Sequence, residues 1–242
     1  MKFVVAIVII LLGANIIILY SNFIVRIMKG IIPELLKYNP ETPICMVSNP
    51  CDIMTAVAAK IAGPSVPPGR IFGSGTCLDT SRLRSLIGNA LKVDTRNVHG
   101  YIIGEHGDSS IAVWSGVNVG GIPLLEHGAE PSMVHHAMHR NVVESAGEVI
   151  IKKGYTNWAV GMTCAHIAKN VLDDTGSIIT ASTCVRGLYG IENDVYSSIP
   201  CVIGGPGVRR AVILPLSESE KTGLIKSCKL VWEVQKGVWD SV

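Results

Sequence analysis

From residue 40 onward the apolar positions fall into short blocks whose spacing alternates between extended and helical. "ETPICMVSNP" carries a short apolar strand to Val47, and Pro50 stands where a first helical turn tolerates it. Ile53, Met54, Val57, Ala58 and Ile61 then recur at helical spacing until Gly63 and Pro64 stop them. "RIFGSG" is a second short strand, and from Asp79 the positions Leu83, Leu86, Ile87, Ala90 and Leu91 repeat the helical period. Strand, helix, strand, helix predicts a parallel sheet.

Past residue 96 the texture changes to glycine-punctuated short strands, from "VHGYIIGEHG" to "IAVWSGVNVGGIPL". A long helix follows, with Val142, Val143, Ala146, Val149 and Ile150 on one face and "KKG" at its end, where lysines suit the dipole and glycine the cap. A further helix runs from about Asn157 to "LDD". "SIITASTCV", "VYSSIPCVIG" and "RRAVILPL" read as an antiparallel meander. The last helix opens on "SESE", a capping box, and is expected to bury Leu224, Ile225, Cys228, Val231 and Trp232. The boundary between the two textures lies at residues 92–96, which divides the chain into 1–94 and 95–242.

The N-terminus does not fit this alternation. An apolar run extends from Phe3 to Tyr20 with Gly13 and Asn15 as its weak points, about the length needed to span a bilayer. A parallel strand buried on both faces, Phe3 to Leu12, gives the same pattern, and periodicity does not separate the two readings. A cleaved signal is disfavoured by the length of the run and the lack of a small-x-small site after it.

Composition narrows the classes. In 242 residues, 48% hydrophobic, a disordered chain is excluded. The 21 basic and 19 acidic residues nearly balance, without a basic stripe interleaved with aromatics, so nucleic acid is not an expected partner. Seven scattered cysteines without a CxxC pair fit reduced thiols in the cytoplasm.

Candidate chemistry comes from positions far apart. Asn49 follows the carboxyl end of a strand, where open α/β sheets bind ligands; its alternative is a helix cap. Asp79 and Arg82, three apart at a helix start, either pair with each other or orient an imidazole and fork a carboxylate. His106 in "GEHGDSS" is either a turn residue or, given a partner acid, a general acid/base. His135 and His139 have two-ligand metal spacing but no third ligand nearby, so a solvated face is the expected reading and no metal is assigned.

Taken in order, "VSNPCDI", "GSGTCLDTSRLR", "HGYIIGEHGDSS", "VWSGVNVGG", "KKGYTNWAVG" and "VRGLYGIENDVYSSIPCVIG" resemble the blocks of the lactate/malate dehydrogenase family, in its L-lactate form. The resemblance covers roughly residues 22 to 238. It implies the remaining half of a doubly wound Rossmann-type parallel sheet followed by an α+β substrate domain with antiparallel strands. It implies NAD as cofactor, lactate and pyruvate as substrates, and a homo-oligomer, a tetramer in the family. His106 matches the family's acid/base, Asp79 the acid that orients it, and Arg82 the clamp on the substrate carboxylate. Asn49 matches the amide beside the substrate oxygen and the nicotinamide, and Thr156 the residue flanking the substrate methyl group. Val47 and Val160 match cofactor-side positions. Arg84 and His99 match positions that form an anion site in some members.

The departures are equally specific. The family opens with strand, G-x-G-x-x-G, helix and an acid about 20 positions later; no segment before residue 60 offers these glycines. The mobile loop whose arginine polarises the carbonyl has no counterpart, and Arg26 is expected within a helix. On this reading "FVVAIVIILLGA" stands for the family's fourth strand, the chain begins halfway through the dinucleotide domain, and isolated activity is weak or absent. The alternatives are a non-catalytic relative that works by assembly with other subunits, with residues 3–20 open as a membrane tether, and, less favoured, a dehydrogenase of malate or another 2-hydroxy acid.

Overall fold

The computed structural model describes residues 17–239 and 242. The strand and membrane readings of the apolar run fall outside the described residues as far as residue 16. From Ile17 the chain is helical, and no helix among the described residues is long and apolar enough to cross a membrane.

The first helix, α1 (Ile17–Tyr38), buries Ile24, Val25, Met28 and Ile32, a spacing that puts them on one side. Arg26 lies within it and is exposed. β1 (Ile44–Met46), α2 (Cys51–Ala62), β2 (Ile71–Gly73) and α3 (Cys77–Leu91) follow, matching the expected alternation. Pro50 precedes α2 at its cap position rather than entering the first turn, and the Asn49–Pro50 peptide bond is cis. Gly63 ends α2.

Five short strands come next: β3 (Val98–His99), β4 (Ile102–Ile103), β5 (Ile111–Ala112), β6 (Asn118–Val119) and β7 (Ile122–Pro123). Then α4 (Met133–Lys153), α5 (Trp158–Leu172), β8 (Ser177–Cys184), β9 (Tyr196–Gly204), β10 (Gly207–Ala211) and α6 (Glu218–Trp239) complete the order.

The fold is α/β, with a parallel pair and an antiparallel meander joined in one sheet of order β1-β2-β8-β9-β10. β1 and β2 are parallel, Ile44 opposite Ile71, and β8 to β10 are antiparallel neighbours. The join is narrow: β2 meets β8 at Gly73 opposite Ser182. A side chain there would not fit, because a Cβ on Gly73 would lie 2.4 Å from Thr55 Oγ1 and 2.9 Å from Cys51 Sγ. The expected order of a parallel half followed by antiparallel strands therefore holds, with a shared sheet in place of two separate ones.

One apolar cluster covers this sheet, built from Phe72, Met54, Ile199, Ile203 and the inner faces of α1, α2 and α6. Each such side chain contributes about 1.5–3 kcal/mol on burial. A second cluster, around Leu83, Ile87, Ile102, Trp114 and Val142, joins α3 to the short strands and α4. Of the apolar face of α4, Val142 is buried, but Val149 and Ile150 are each 39% exposed. Periodicity identifies a stripe that favours cover; α4 leans on α3, and its later turns run beyond that support. Its Lys152, Lys153 and Gly154 end it as expected. In α6, Leu224, Cys228 and Val231 are buried, with Ile225 and Trp232 partly so. Its capping box is formed, Ser217 N–H donating to Glu220 Oε2 at 2.9 Å and Glu220 N–H to Ser217 Oγ at 3.3 Å.

Candidate active site

The segment "GEHGDSS" is the loop of the β4–β5 hairpin, whose strands pair Ile102 with Ala112 and Ile103 with Ile111. Five attachments fix it. Gly104 exchanges both backbone hydrogen bonds with Ser198 of β9, at 2.8 and 2.9 Å. It takes φ +90°, and a Cβ there would lie 2.7 Å from Ile111 Cδ1, so glycine is required. Glu105 N–H donates to Ser227 Oγ of α6 at 3.0 Å, and His106 N–H to Asp52 Oδ2 of α2 at 2.8 Å. Ser109 Oγ donates to the Glu105 carboxylate and contacts Ser227 Oγ at 2.9 Å. Ser110 Oγ lies 3.0 Å from His139 Nε2 of α4.

The start of α3 is fixed just as firmly. Thr76 N–H donates to Ser198 Oγ at 3.1 Å, and Thr80 Oγ1 accepts Ile102 N–H at 3.0 Å while lying 3.1 Å from Thr180 Oγ1 of β8. These bonds tie α3 to the hairpin and bring together two side chains 27 residues apart: His106 Nδ1 lies 2.6 Å from Asp79 Oδ2. Asp79 Oδ1 in turn accepts from an Arg82 terminal nitrogen at 3.2 Å. Asp79 thus pairs with Arg82 and also meets the imidazole.

Nδ1 being engaged, Nε2 is the ring nitrogen left for a ligand. Burial acts to lower the His106 pKa, but the Asp79 hydrogen bond and charge, with the charge of Asp52, outweigh it and raise the value above the ordinary 6.5.

His106 faces a small cavity of about 40 Å³ that Val47, Asn49 and Val160 also line, together with Gly75 and Cys164. Four of the seven predicted site residues thus converge on one space; Asp79 contacts His106 and Arg82, and neither Asp79 nor Arg82 lines the cavity. Asn49 is exposed, and its side chain does not cap α2. Thr156 does not line this cavity; half-buried, it lies in the connection between α4 and α5, four residues before Val160. A larger cleft of about 540 Å³, between the end of α2 and Trp239, contains none of these residues.

Asp52 escaped the sequence reading. It is buried, and burial pushes its carboxyl up to about 6 against the smaller opposing effects of hydrogen bonds from the Ser182 hydroxyl and the His106 N–H. Its signal was an acid amid the apolar positions Cys51, Ile53 and Met54. The expected solvated face of His135 and His139 is also corrected: His135 Nδ1 accepts Ser132 N–H in a capping box and its ring sits edge-on to Trp114 at 4.8 Å, while His139 holds Ser110. Burial keeps His139 below the ordinary imidazole range. Arg84 is turned to the main chain, donating to Gly100 O at 3.0 Å.

Comparison with known proteins identifies the family. Residues 21–73 match the NAD binding domain of lactate/malate dehydrogenase, and residues 76–238 match the α/β C-terminal domain. The chain is 44% identical over 223 residues to the L-lactate dehydrogenase B chain of Anas platyrhynchos. It is 45% identical over 221 residues to the A chain of Xenopus laevis, and 43% over 221 residues to the B chain of Homo sapiens. Each alignment takes in 89% of this chain and 66% of the relative, so the chain spans just under two thirds of their length. With both domain matches in sequence order and the C-terminal one alone taking in more than half the chain, the chain belongs to the lactate/malate dehydrogenase family.

Proposed function

We propose that the chain carries the acid/base and substrate-orienting groups of an NAD-dependent L-lactate dehydrogenase. The observation that carries this reading is the chain of contacts from Arg82 through Asp79 to His106, ending at a cavity lined by Asn49 and Val160. With Nδ1–H donated to Asp79, His106 in its imidazolium form gives the Nε2 proton to the carbonyl oxygen of pyruvate; in the reverse direction the neutral ring takes the hydroxyl proton of lactate. Asp79 holds the tautomer and stabilises the cation. Arg82 uses one nitrogen on Asp79 and presents its remaining donors to the substrate carboxylate. The exposed amide of Asn49 donates to the reacting oxygen, and Thr156 flanks the methyl group.

The residues present fit the nicotinamide end of NAD: Val47 and Val160 offer apolar walls and Asn49 a polar edge in the same cavity as His106. Held there by Val47, Asn49 and Val160, NAD would supply the hydride chemistry that interconverts lactate and pyruvate.

A second reading, assembly with other copies, is favoured by the open apolar faces of α4 and α5, where Ile151 is 85% and Trp158 78% exposed. A homo-oligomer is the partner these faces suit. Seven free thiols, six of them buried, suit a reducing compartment, and we place the protein in the cytoplasm.

The test is a fluorescence titration of the chain with NADH in the presence of oxamate, an unreactive pyruvate mimic. Oxamate is expected to tighten NADH binding, and Arg82→Ala to abolish that tightening. Failure to bind NADH at millimolar concentration with oxamate present overturns the enzymatic reading and leaves assembly.

A further inference from the structure

The two ends of α2 face different recesses. The candidate site lies at its start, beside Asn49, and the cleft of about 540 Å³ lies at its end, about 18 Å away along the helix. No residue lines both. The volume of the cleft is that of a small-molecule site, and its walls are held in place by the fold itself. Gly69 O accepts Val208 N–H at 2.9 Å, Arg70 N–H donates to Pro67 O at 3.2 Å, and the Arg70 guanidinium donates to Pro40 O at 2.7 Å. The Trp239 ring, another wall, is held at an angle of 64° against Trp232 with 6.1 Å between ring centres.

The chemistry of these walls selects for charge of one sign. Pro64, Pro67 and Pro68 have no N–H, so at three positions the loop wall offers rings and carbonyl oxygens but no donor. α2 ends at Ala62 and α6 at Trp239, and helix carboxyl ends carry partial negative charge. Asp194 adds a full negative charge, and Trp239 and Tyr196 add ring faces that attract cations. The chain itself already uses this preference: the Lys60 ammonium sits 4.5 Å from the centre of the Trp239 ring and donates to Trp239 O at 2.6 Å. Lys60 is thereby committed to the α6 end. Asp194 is met by Arg186 at 3.1 and 3.2 Å, an exposed pair of the weak kind that a ligand can displace. Burial, with Cys184 and Asp194 adding to it, pushes the Tyr196 hydroxyl up to about 12, so it stays neutral.

We propose that this cleft is a binding site for a small organic cation, an ammonium group carried on a flat apolar body. The body lies against the proline rings and the Trp239 ring, and the ammonium meets Asp194 and the face of Tyr196. An anion of the same shape meets a carboxylate and two helix carboxyl ends, with Lys60 already bonded to a carbonyl. The assignment does not depend on the reading of His106, because the two recesses share no lining residue.

The test compares three probes of one shape and different charge: phenethylamine as its ammonium ion, 2-phenylethanol and 3-phenylpropionate. Each is titrated into the full chain while the indole N–H resonance of Trp239, assigned with Trp239→Phe, is followed by NMR. The ammonium is expected to move this resonance to saturation in the millimolar range, the alcohol to bind more weakly, and the carboxylate not to saturate. Asp194→Asn is expected to weaken the ammonium about three- to tenfold and to leave the alcohol unchanged. That side chain is exposed, and the bond from Gln235 Nε2 to the main-chain oxygen of Asp194, at 2.7 Å, survives the substitution. Equal binding of the three probes, tighter binding of the carboxylate, a Trp239 resonance that none of them moves, or an ammonium affinity unchanged by Asp194→Asn overturns the proposal. The probe series needs no variant and decides the matter even if Asp194→Asn does not fold. Failure of NADH and oxamate to bind removes the enzymatic reading and leaves this result as it stands.

Discussion

Two connections contribute to the candidate site, and they are built differently. The loop of residues 104–110 is fastened to β9, α6, α2 and α4, each by a different residue. The connection of residues 154–157 has only local fastenings: Gly154 N–H on Ile150 O at 2.7 Å, and the Lys153 ammonium on Asn157 Oδ1 at 2.6 Å. The first presents the proposed proton-transfer group, whose useful range of positions is a few tenths of an ångström. The second presents Thr156, whose proposed task is to shape an apolar pocket, and side-chain packing tolerates more. The fastenings are concentrated at the proposed site of proton transfer.

The sharpest way to break this contrast is at Asp79, where the two functions of the loop meet. Asp79→Asn leaves the loop's attachments in place and removes the charge that raises the His106 pKa. Pyruvate reduction is expected to fall roughly 10²–10⁴-fold, and His106 to titrate lower. The sign of the stability effect follows. Because the folded pKa is raised, His106 contributes stability that is fully present below the ordinary imidazole value and fades as pH rises through the folded value. Urea unfolding at pH 5.5–6 against pH 8–9, roughly either side of the ordinary value, should show that contribution in the parent and lose it in Asp79→Asn. An unchanged His106 titration would sink the assignment of Asp79 as its partner.

A matched pair of glycines compares the two connections directly. Gly104 and Gly154 have nearly the same φ, +90° and +88°, but a Cβ meets Ile111 and Ser227 at the first and nothing within 4 Å at the second. Gly104→Ala is expected to cost roughly 2–4 kcal/mol, strain plus overpacking. Gly154→Ala should cost about 1 kcal/mol, the backbone term alone. Equal losses in urea would mean that the loop is no more tightly enclosed than the connection.

This difference also explains how much was legible in the sequence. The strand and helix alternation, the meander and the capping box at Ser217 depend on neighbours within a few positions, and all were readable. His106, Asp79 and Arg82 stood out as candidates because each has a chemically distinctive side chain in a sparse background, and their proposed roles came from the family resemblance alone. The loop's anchors were not. Ser227 stands 122 positions from Glu105, and a serine within a helix carries no mark of what it binds. Asp52 was marked only as an acid among apolar neighbours, which periodicity treats as noise. The apolar stripe of α4 was readable but its exposure was not, because such a stripe records a preference for burial and not the surface that provides it.

The smallest expected effect tests that last point. Ile151, at the end of α4, is 85% exposed, so replacing it removes almost no buried area. Ile151→Ser should change the unfolding free energy by no more than about 0.5 kcal/mol, the usual range for open surface positions. If copies of the chain cover this face, dilution separates the cases. A loss well above 1 kcal/mol that grows with protein concentration would mean the residue is buried in an assembly, because binding to the folded state adds stability by mass action. A loss that stays small at every concentration would leave the face of α4 open and remove this residue from any contact between subunits.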